Sequence, residues 1–292
     1  MQAKPSSGGL RQSIGLPLLT CLAAALLCPG VAVTADFQAE VVKVEVLNFN
    51  VKRVRLRASA PAFRFEPGQF VLLRLPDSYI AEFNGKYGTA HKAVSRPYSL
   101  ASPPSETPFF DLIIKHYPAP PGKDVPPGLA STFVHTRVNK GDKLSFSEPM
   151  GSLYQPGAST DPIIVVAGGV GTSPFIGLVK HWLEQKINER RKIYFFFGVN
   201  SKEDFFLEKE FAAWAKEKNF VYVPAVARPA PEDNWKGETG YINAVLDRHF
   251  EGPLRADAYL AGAPIMVSET IKVLTAKGVP AARIHHDPVK VE

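Results

Sequence analysis

A small antiparallel β-barrel followed by a doubly wound, parallel-sheet α/β domain is the fold class that this 292-residue sequence predicts. Three observations carry it. Over residues 39–149, short β-branched and aromatic runs are broken repeatedly by Pro and Gly, as in small barrels. From residue 163 onward, strand-like and helix-like runs alternate, the pattern of a parallel sheet covered by helices. Two short motifs mark the halves, Arg96-Pro97-Tyr98-Ser99 in the first and Ala167-Gly168-Gly169-Val170-Gly171-Thr172-Ser173-Pro174 at the opening of the second. The expected divisions are an apolar segment over 1–36, a barrel over 37–157 and an α/β domain over 158–292.

Bulk composition narrows the function. With 45% apolar and 21% charged residues the chain is globular in character. Its net charge of +6 comes from Lys and Arg scattered among 28 acids, without a basic run. That argues against nucleic acid and favours an acidic nucleotide or an acidic electron carrier as partner. The two cysteines, Cys21 and Cys28, both lie in the N-terminal stretch, so the body has no disulfide, thiolate metal site or cysteine nucleophile. The seven histidines lack metal-ligand spacing, and no metal is expected.

The N-terminal stretch opens with Lys4 and Arg11, runs apolar from 18 to 28, breaks at Pro29-Gly30 and reaches small residues at Val33-Thr34-Ala35. This pattern fits a cleaved secretory signal. Counted over 14–35 it also just spans a bilayer as an anchor, with Gly and Pro making an irregular helix.

In the barrel half, strands are expected over 41–46, 51–57, 70–75, 97–101, 109–115 and 143–146, with Pro67-Gly68 turning the chain before the third. Arg96 offers a planar fork of donors for a diphosphate, Tyr98 an aromatic face for a ring system and Ser99 a hydroxyl for a ring nitrogen. On a strand Arg96 and Tyr98 share one face, and Ser99 points the other way unless the strand ends or twists there. A surface strand with an exposed Arg and a core Tyr is the competing reading. The Pro-rich stretch over 118–127 is too broken for helix or strand.

In the second half, Ile163-Ile164-Val165-Val166 reads as a buried parallel strand. Ser173 is expected to cap a helix whose first residue is Pro174, leaving free backbone donors and a positive dipole end toward the glycine turn, which favours a phosphate. The pattern is GxGxxP, with Pro174 where the common dinucleotide fingerprint has its third glycine. A tight turn without a ligand is the alternative. Downstream, helices are expected over 175–185, 204–218, 241–249 and 265–277, and strands over 192–197, 220–226, 258–260 and 283–285.

RPYS, followed by Gly128-Leu129-Ala130-Ser131-Thr132 and Gly141-Asp142, resembles the flavin domain of the ferredoxin reductase superfamily. The resemblance implies that Arg96 binds flavin phosphate, Tyr98 packs on the isoalloxazine and Ser99 lies at its N5 edge. Residues 128–132, including Gly128, Ser131 and Thr132, would present backbone amides at a helix start to the pyrophosphate. Ser95, Val125-Pro126-Pro127-Gly128, Pro231-Glu232-Asp233-Asn234-Trp235-Lys236-Gly237, Thr239-Gly240-Tyr241-Ile242 and Tyr259-Leu260-Ala261-Gly262-Ala263-Pro264-Ile265-Met266 extend the likeness. Over 37–287 the chain is most similar to the FAD/NADH module of the F subunit of sodium-translocating NADH:quinone reductase.

That resemblance implies a reductase passing a hydride from NADH, with NADPH the other candidate, to bound FAD, and electrons onward to a quinone, a ferredoxin-like protein or an oxygenase component. Tyr98 and Ser99 would serve at the reacting ring. Gly168, Gly169, Gly171, Thr172, Ser173, Asn200, Gly262 and Pro264 would serve the nucleotide. Ala261 stands where the family usually has Cys, Asn200 where it commonly has Arg, and Pro288-Val289 where many relatives end in an aromatic. A nucleotide-binding regulatory or assembly subunit without efficient turnover is the alternative those departures raise.

The family's N-terminal membrane helix supports the anchor reading. Leu18-Leu19-Thr20-Cys21-Leu22-Ala23 also resembles the segment around the last cluster cysteine of a plant-type ferredoxin domain, but the upstream CxxxxCxxC group is missing, so no iron-sulfur cluster forms in this chain. Arg11 stands alone, which disfavours twin-arginine export of a folded flavoprotein. The cytoplasmic face of a membrane, or the cytoplasm, is therefore the expected location, with export through a cleaved signal the other reading.

Overall fold

The first sheet is built from alternating strands whose inner side chains are aromatic. In the computed structural model, which describes residues 36–151 and 159–286, β1 (Phe37–Val46) and β2 (Val51–Ala58) form an antiparallel hairpin. β3 (Phe70–Arg74), helix α1 (Asp77–Tyr87), β4 (Ser95–Ser99), β5 (Phe109–Lys115), helix α2 (Leu129–Arg137) and β6 (Lys143–Phe146) follow. The strand order is β4-β3-β6-β1-β2-β5, antiparallel throughout. Just past β4, the Ala101 N–H donates to the Asp111 carbonyl of β5 at 2.8 Å, joining the two outer strands. Phe37, Phe63, Phe110 and Phe146 fill the interior with ring centroids 4.8–6.0 Å apart.

The second sheet consists of β7 (Ile163–Gly168), β8 (Ile193–Val199), β9 (Phe220–Val226), β10 (Glu238–Thr239), β11 (Asp257–Ala261) and β12 (Ile284–His286). Helices α3 (Ser173–Glu184), α4 (Ile187–Arg190), α5 (Glu208–Trp214), α6 (Ile242–His249) and α7 (Pro264–Ala276) connect them. The order is β10-β9-β8-β7-β11-β12, with every pairing parallel. β7 is central, and Ile163 through Ala167 have no exposed surface, as expected of a strand covered on both faces. The chain leaves β7 toward β8 on one side and returns later as β11 on the other. Their carboxyl ends therefore form the topological switch point where open α/β sheets bind ligands.

The strand pattern of the barrel half does not anticipate α1, whereas α2 begins within the 128–132 segment where the resemblance implied a helix start. α1 buries Tyr79, Ile80 and Phe83 and stops at Gly88, whose φ is +64°. Its apolar stripe is narrow, and Asn84, Gly85 and Gly88 dilute the helical signal in the sequence. Tyr79 packs on Phe133 of α2 with ring centroids 4.9 Å apart, and Glu82 pairs with Arg137, so α1 braces α2.

In the α/β half, the helix expected over 204–218 is shorter, running Glu208–Trp214. A 3-10 turn over Lys202–Asp204 precedes it, capped by Ser201 and Asp204, and buried Phe205 and Phe206 follow. Burying those two rings overrides helix propensity. Ser173 is not an extended N-cap, because a 3-10 turn over Gly169–Thr172 runs directly into α3 and Ser173 is already helical. The boundary expected between 157 and 158, the N-terminal segment and Pro288-Val289 lie outside the described residues.

The described residues of both halves cluster as one unit. Val51, Ala101 and Ile113 of the barrel half belong to the same buried cluster as Phe175, Phe197 and Phe206. Arg53 pairs with Glu210 of α5, and Ser105 donates to Glu184 of α3 at 2.9 Å. A Cβ on Gly177 of α3 would lie 2.4 Å from the Ser102 carbonyl oxygen, so only glycine permits this close approach between the halves.

Candidate functional site

A cavity of about 1310 Å³ lies between the two sheets, larger than the roughly 300–1,000 Å³ typical of a single small-molecule site. Ser99, the last residue of β4, lines the cavity together with Arg96, Pro97 and Tyr98. Tyr98 also packs against the barrel core, so the core-tyrosine reading and the ligand-facing one both describe it. Burial pushes its phenol up to about 12, which keeps the O–H protonated as a donor. Arg96 is exposed, donates to the Ser95 carbonyl at 2.9 Å and makes no ion pair among the described residues.

The N-terminus of α2 forms the next part of the wall. Gly128 stands at its N-cap with no side-chain cap, so the first backbone N–H groups of the helix remain free beside the cavity. The Ser131 hydroxyl donates to the Gly128 carbonyl at 2.9 Å and accepts from the Tyr117 N–H at 3.2 Å. It thereby shapes the turn. Thr132 lies off the cavity wall, its hydroxyl 3.5 Å from His116 Nε2. His116 stacks on His135 with centroids 4.9 Å apart beneath this turn, and burial holds both imidazoles below their ordinary range.

Across the cavity, Gly168 ends β7, Gly169 and Gly171 lie in the turn that follows, Ser173 opens α3, Asn200 follows β8, Gly262 lies between β11 and α7, and Pro264 opens α7. A Cβ on Gly171 would sit 2.6 Å from Gly262 N and Cα. The two glycine turns touch backbone to backbone, and a side chain at 171 would separate them. Thr172 is fully buried with an unpartnered hydroxyl and lies off the wall. Ala261, in place of the usual cysteine, also lines the cavity.

The structure thus brings twelve of the fourteen expected site residues onto one wall system, leaving Thr132 and Thr172 behind it. Sequence reasoning missed Lys115, a half-buried cation at the end of β5, and Asn50 from the β1–β2 turn, both on the cavity wall. Lys115 has a visible signal, a cation closing the apolar run Leu112-Ile113-Ile114 of β5. Asn50 has none. Tyr117, Tyr241 and Ile265 are exposed around the same cavity.

The donor set fits phosphate-bearing ligands. Arg96 and Lys115 line the cavity without carboxylate partners among the described residues, and the free amides of α2 add a positive helix end. Aromatic faces stand beside them. Among the described residues no group of three or more His, Cys, Asp or Glu is placed to hold a metal ion.

An antiparallel barrel joined to a doubly wound sheet, with anion-binding turns from both facing one cavity, defines a two-domain flavin- and nicotinamide-binding oxidoreductase. An oxidoreductase FAD-binding domain matches residues 38–154 and an oxidoreductase NAD-binding domain matches residues 165–272. The chain belongs to the ferredoxin reductase family of FAD- and NAD-binding oxidoreductases. It is 31% identical over 241 residues to the phenol hydroxylase P5 protein of Acinetobacter pittii, covering 82% of this chain and 61% of that one. It is 34% identical over 192 residues to the F subunit of the Na⁺-translocating NADH-quinone reductase of Neisseria meningitidis, covering 64% of this chain and 47% of the relative.

The chain therefore spans about half to three-fifths of the length of these relatives. Among solved structures, the ferredoxin reductase in carbazole 1,9a-dioxygenase superimposes with a TM-score of 0.68 at 27% identity, covering 87% of this chain and 69% of that one. The Amycolatopsis cytochrome P450 reductase GcoB shares the fold with a TM-score of 0.71 at 23% identity, covering 87% and 70%. No helix among the described residues is long and apolar enough to cross a membrane.

Proposed function

We propose that this oxidoreductase takes a hydride from NADH into bound FAD and passes the electrons to a separate acceptor. The observation that carries the reading is the single cavity in which Arg96, Tyr98, Ser99 and the start of α2 face the Gly168–Ser173 turn and Gly262. Bound FAD supplies the conversion between hydride and single-electron transfer. Arg96 and the α2 amides would hold its phosphates, and Tyr98 would offer an aromatic face with a protonated hydroxyl. Ser99 would offer its hydroxyl to the reacting ring, and the glycine turns would hold the nucleotide. The closed wall behind them, including Ile113 and Ile114, keeps water from the transfer.

Anaerobic mixing with NADH tests this directly, because flavin bleaching within seconds is expected. A second reading, a regulatory or assembly subunit without efficient turnover, is favoured by Ala261, which offers the cavity no thiol. No bleaching over many minutes would decide for it. Within the first reading, Ser99→Ala is expected to keep flavin bound and slow its reduction about 10- to 100-fold, the scale of one lost hydrogen bond at a reacting centre. Equal reduction rates would remove Ser99 from the reacting ring.

NADH is expected over NADPH. Past β8, the Ser201 hydroxyl donates to Asp204 at 2.9 Å and Lys202 donates to the Asp233 carbonyl at 2.8 Å, so both are already engaged. Asp204 lines the cavity, and its carboxylate repels a 2′-phosphate. Opposing it, Arg228 extends beyond β9 and donates to the Tyr241 hydroxyl at 2.8 Å. Comparison of kcat/KM at low salt is expected to favour NADH by about tenfold, near 1.4 kcal/mol. A preference for NADPH would mean that Arg228 outweighs Asp204.

The acceptor we infer is an oxygenase component, a ferredoxin-like protein or a quinone, the first suggested by the phenol hydroxylase and dioxygenase relatives. Adding each to the bleached protein and following reoxidation separates them. The cytoplasmic face of a membrane is the proposed location, with residues 1–36 making the membrane contact.

A further inference from the structure

Asn50 is held on the cavity wall by contacts that leave its side-chain oxygen without a partner. Its N–H donates to Asn48 Oδ1 at 3.0 Å, and its carbonyl accepts from the His116 N–H at 2.7 Å. Asn48 is itself anchored to the other half of the molecule, its amide donating to the Asp204 carbonyl at 3.0 Å. The backbone of Asn50 is thus fixed from both sides, at the seam between the halves. Yet Asn50 Oδ1 is buried and has no hydrogen-bond partner among the described residues. A buried acceptor left without a donor is costly, and a turn of the terminal amide about its Cβ–Cγ bond, which brings the oxygen to the cavity, lets a donor arriving with a ligand remove that cost.

The position of Asn50 decides which ligand. The next residue, Val51, pairs with Lys115 across the β2–β5 ladder and shares a buried cluster with Phe206, against which Val170 of the glycine turn also packs. β5 lies between β2 and β4, so Asn50 is one strand removed from the Arg96-Pro97-Tyr98-Ser99 segment. It sits beside the turn that receives the nicotinamide nucleotide.

We propose that Asn50 is a substrate-binding residue contributed by the barrel half. It accepts a hydrogen bond from the nicotinamide–ribose portion of the dinucleotide, through the carboxamide N–H or a ribose hydroxyl. The amide's own N–H pair can donate in return, which makes it complementary to a carboxamide. This inference rests on the proposed function, since it names a contact within that site. It also gives the barrel half a direct part in recognising the substrate, so that a correctly docked pair of halves is needed for tight binding.

The test is equilibrium binding to the FAD-loaded protein by calorimetry, with NAD⁺, ADP-ribose and AMP as probes, for the parent, Asn50→Ala and Asn50→Leu. Both variants are expected to bind NAD⁺ about tenfold more weakly and AMP as the parent does, a loss on the scale of one hydrogen bond. ADP-ribose weakened equally assigns the donor to a ribose hydroxyl, and ADP-ribose unchanged assigns it to the carboxamide. Leucine approximates the shape of asparagine and removes the unpaired acceptor, so nucleotide-free Asn50→Leu is expected to melt at or above the parental temperature. A purely structural asparagine would lower it.

NAD⁺ affinity within twofold of the parent overturns the proposal, as does loss of FAD with NAD⁺ binding unchanged. A parent that binds NAD⁺ but shows no bleaching with NADH sinks the proposed turnover while leaving the Asn50 contact standing. A parent that binds no NAD⁺ ends both.

Discussion

Replacing Arg96 with alanine is expected to raise the dissociation constant for FAD about 10- to 100-fold, the loss of roughly 1.5–3 kcal/mol assigned to a hydrogen bond with a charged partner. The size follows from its setting. Arg96 has no carboxylate to neutralise it among the described residues, and its only described hydrogen bond, to the Ser95 carbonyl, comes from its own strand. It is therefore free to serve an anion, and removing it orphans no buried acid. Folding stability without flavin should change by less than about 0.5 kcal/mol, as for an exposed side chain. Arg96→Lys keeps the charge but loses the planar fork, so its flavin affinity should fall between the other two. Apoprotein titrated with FAD reads all three, and a parental dissociation constant in the alanine variant would reassign the phosphate to Lys115 and the α2 amides.

Gly171→Ala is expected to leave flavin bound and cut its reduction by NADH about tenfold or more, with dithionite reducing both proteins alike. The added Cβ would lie 2.6 Å from backbone atoms of Gly262, and a backbone, unlike the end of a flexible side chain, cannot swing aside. The loop between β11 and α7 must move, and it carries Gly262 and leads into Pro264 at the start of α7, both on the cavity wall. Overpacking of this kind costs about 1–3 kcal/mol, and misplacement of a bound substrate adds to the loss in rate. The barrel half is built from other strands and should keep its flavin. An unchanged rate with NADH would show that the contact between the two turns does not position the nucleotide.

The two predictions differ in how much of them was visible without the structure. Arg96 could be picked out because a cation shortly before a tyrosine and a serine on a short strand already matches phosphate and ring chemistry. The role of Gly171 in separating or joining two turns could not, since Gly262 is distant in sequence and only the parallel pairing of β7 with β11 brings them together. The same contrast runs through the helices. α3 announces itself through Phe175, Ile176, Val179 and Trp182 on one face, whereas α1 is held by packing on α2 and carries little helical propensity of its own.

By itself the amino-acid order determined the two-part architecture, the position of nearly every strand and the two motifs that line the shared cavity. Those properties are local, because strand periodicity, turn residues and short donor-rich motifs act within a few positions. Only the tertiary structure decided that Ser99 lines the same cavity as Arg96 and Tyr98, that Thr132 and Thr172 fall behind it, and that Phe205 and Phe206 enter the core in place of a helical turn. It alone also brought Asn50 and Lys115 into the cavity and engaged Ser201 and Lys202 elsewhere. Each of these depends on which distant side chain or backbone atom arrives within a few ångströms, and burial and hydrogen bonding with distant partners outweigh the roughly 1 kcal/mol preferences that a local sequence can express.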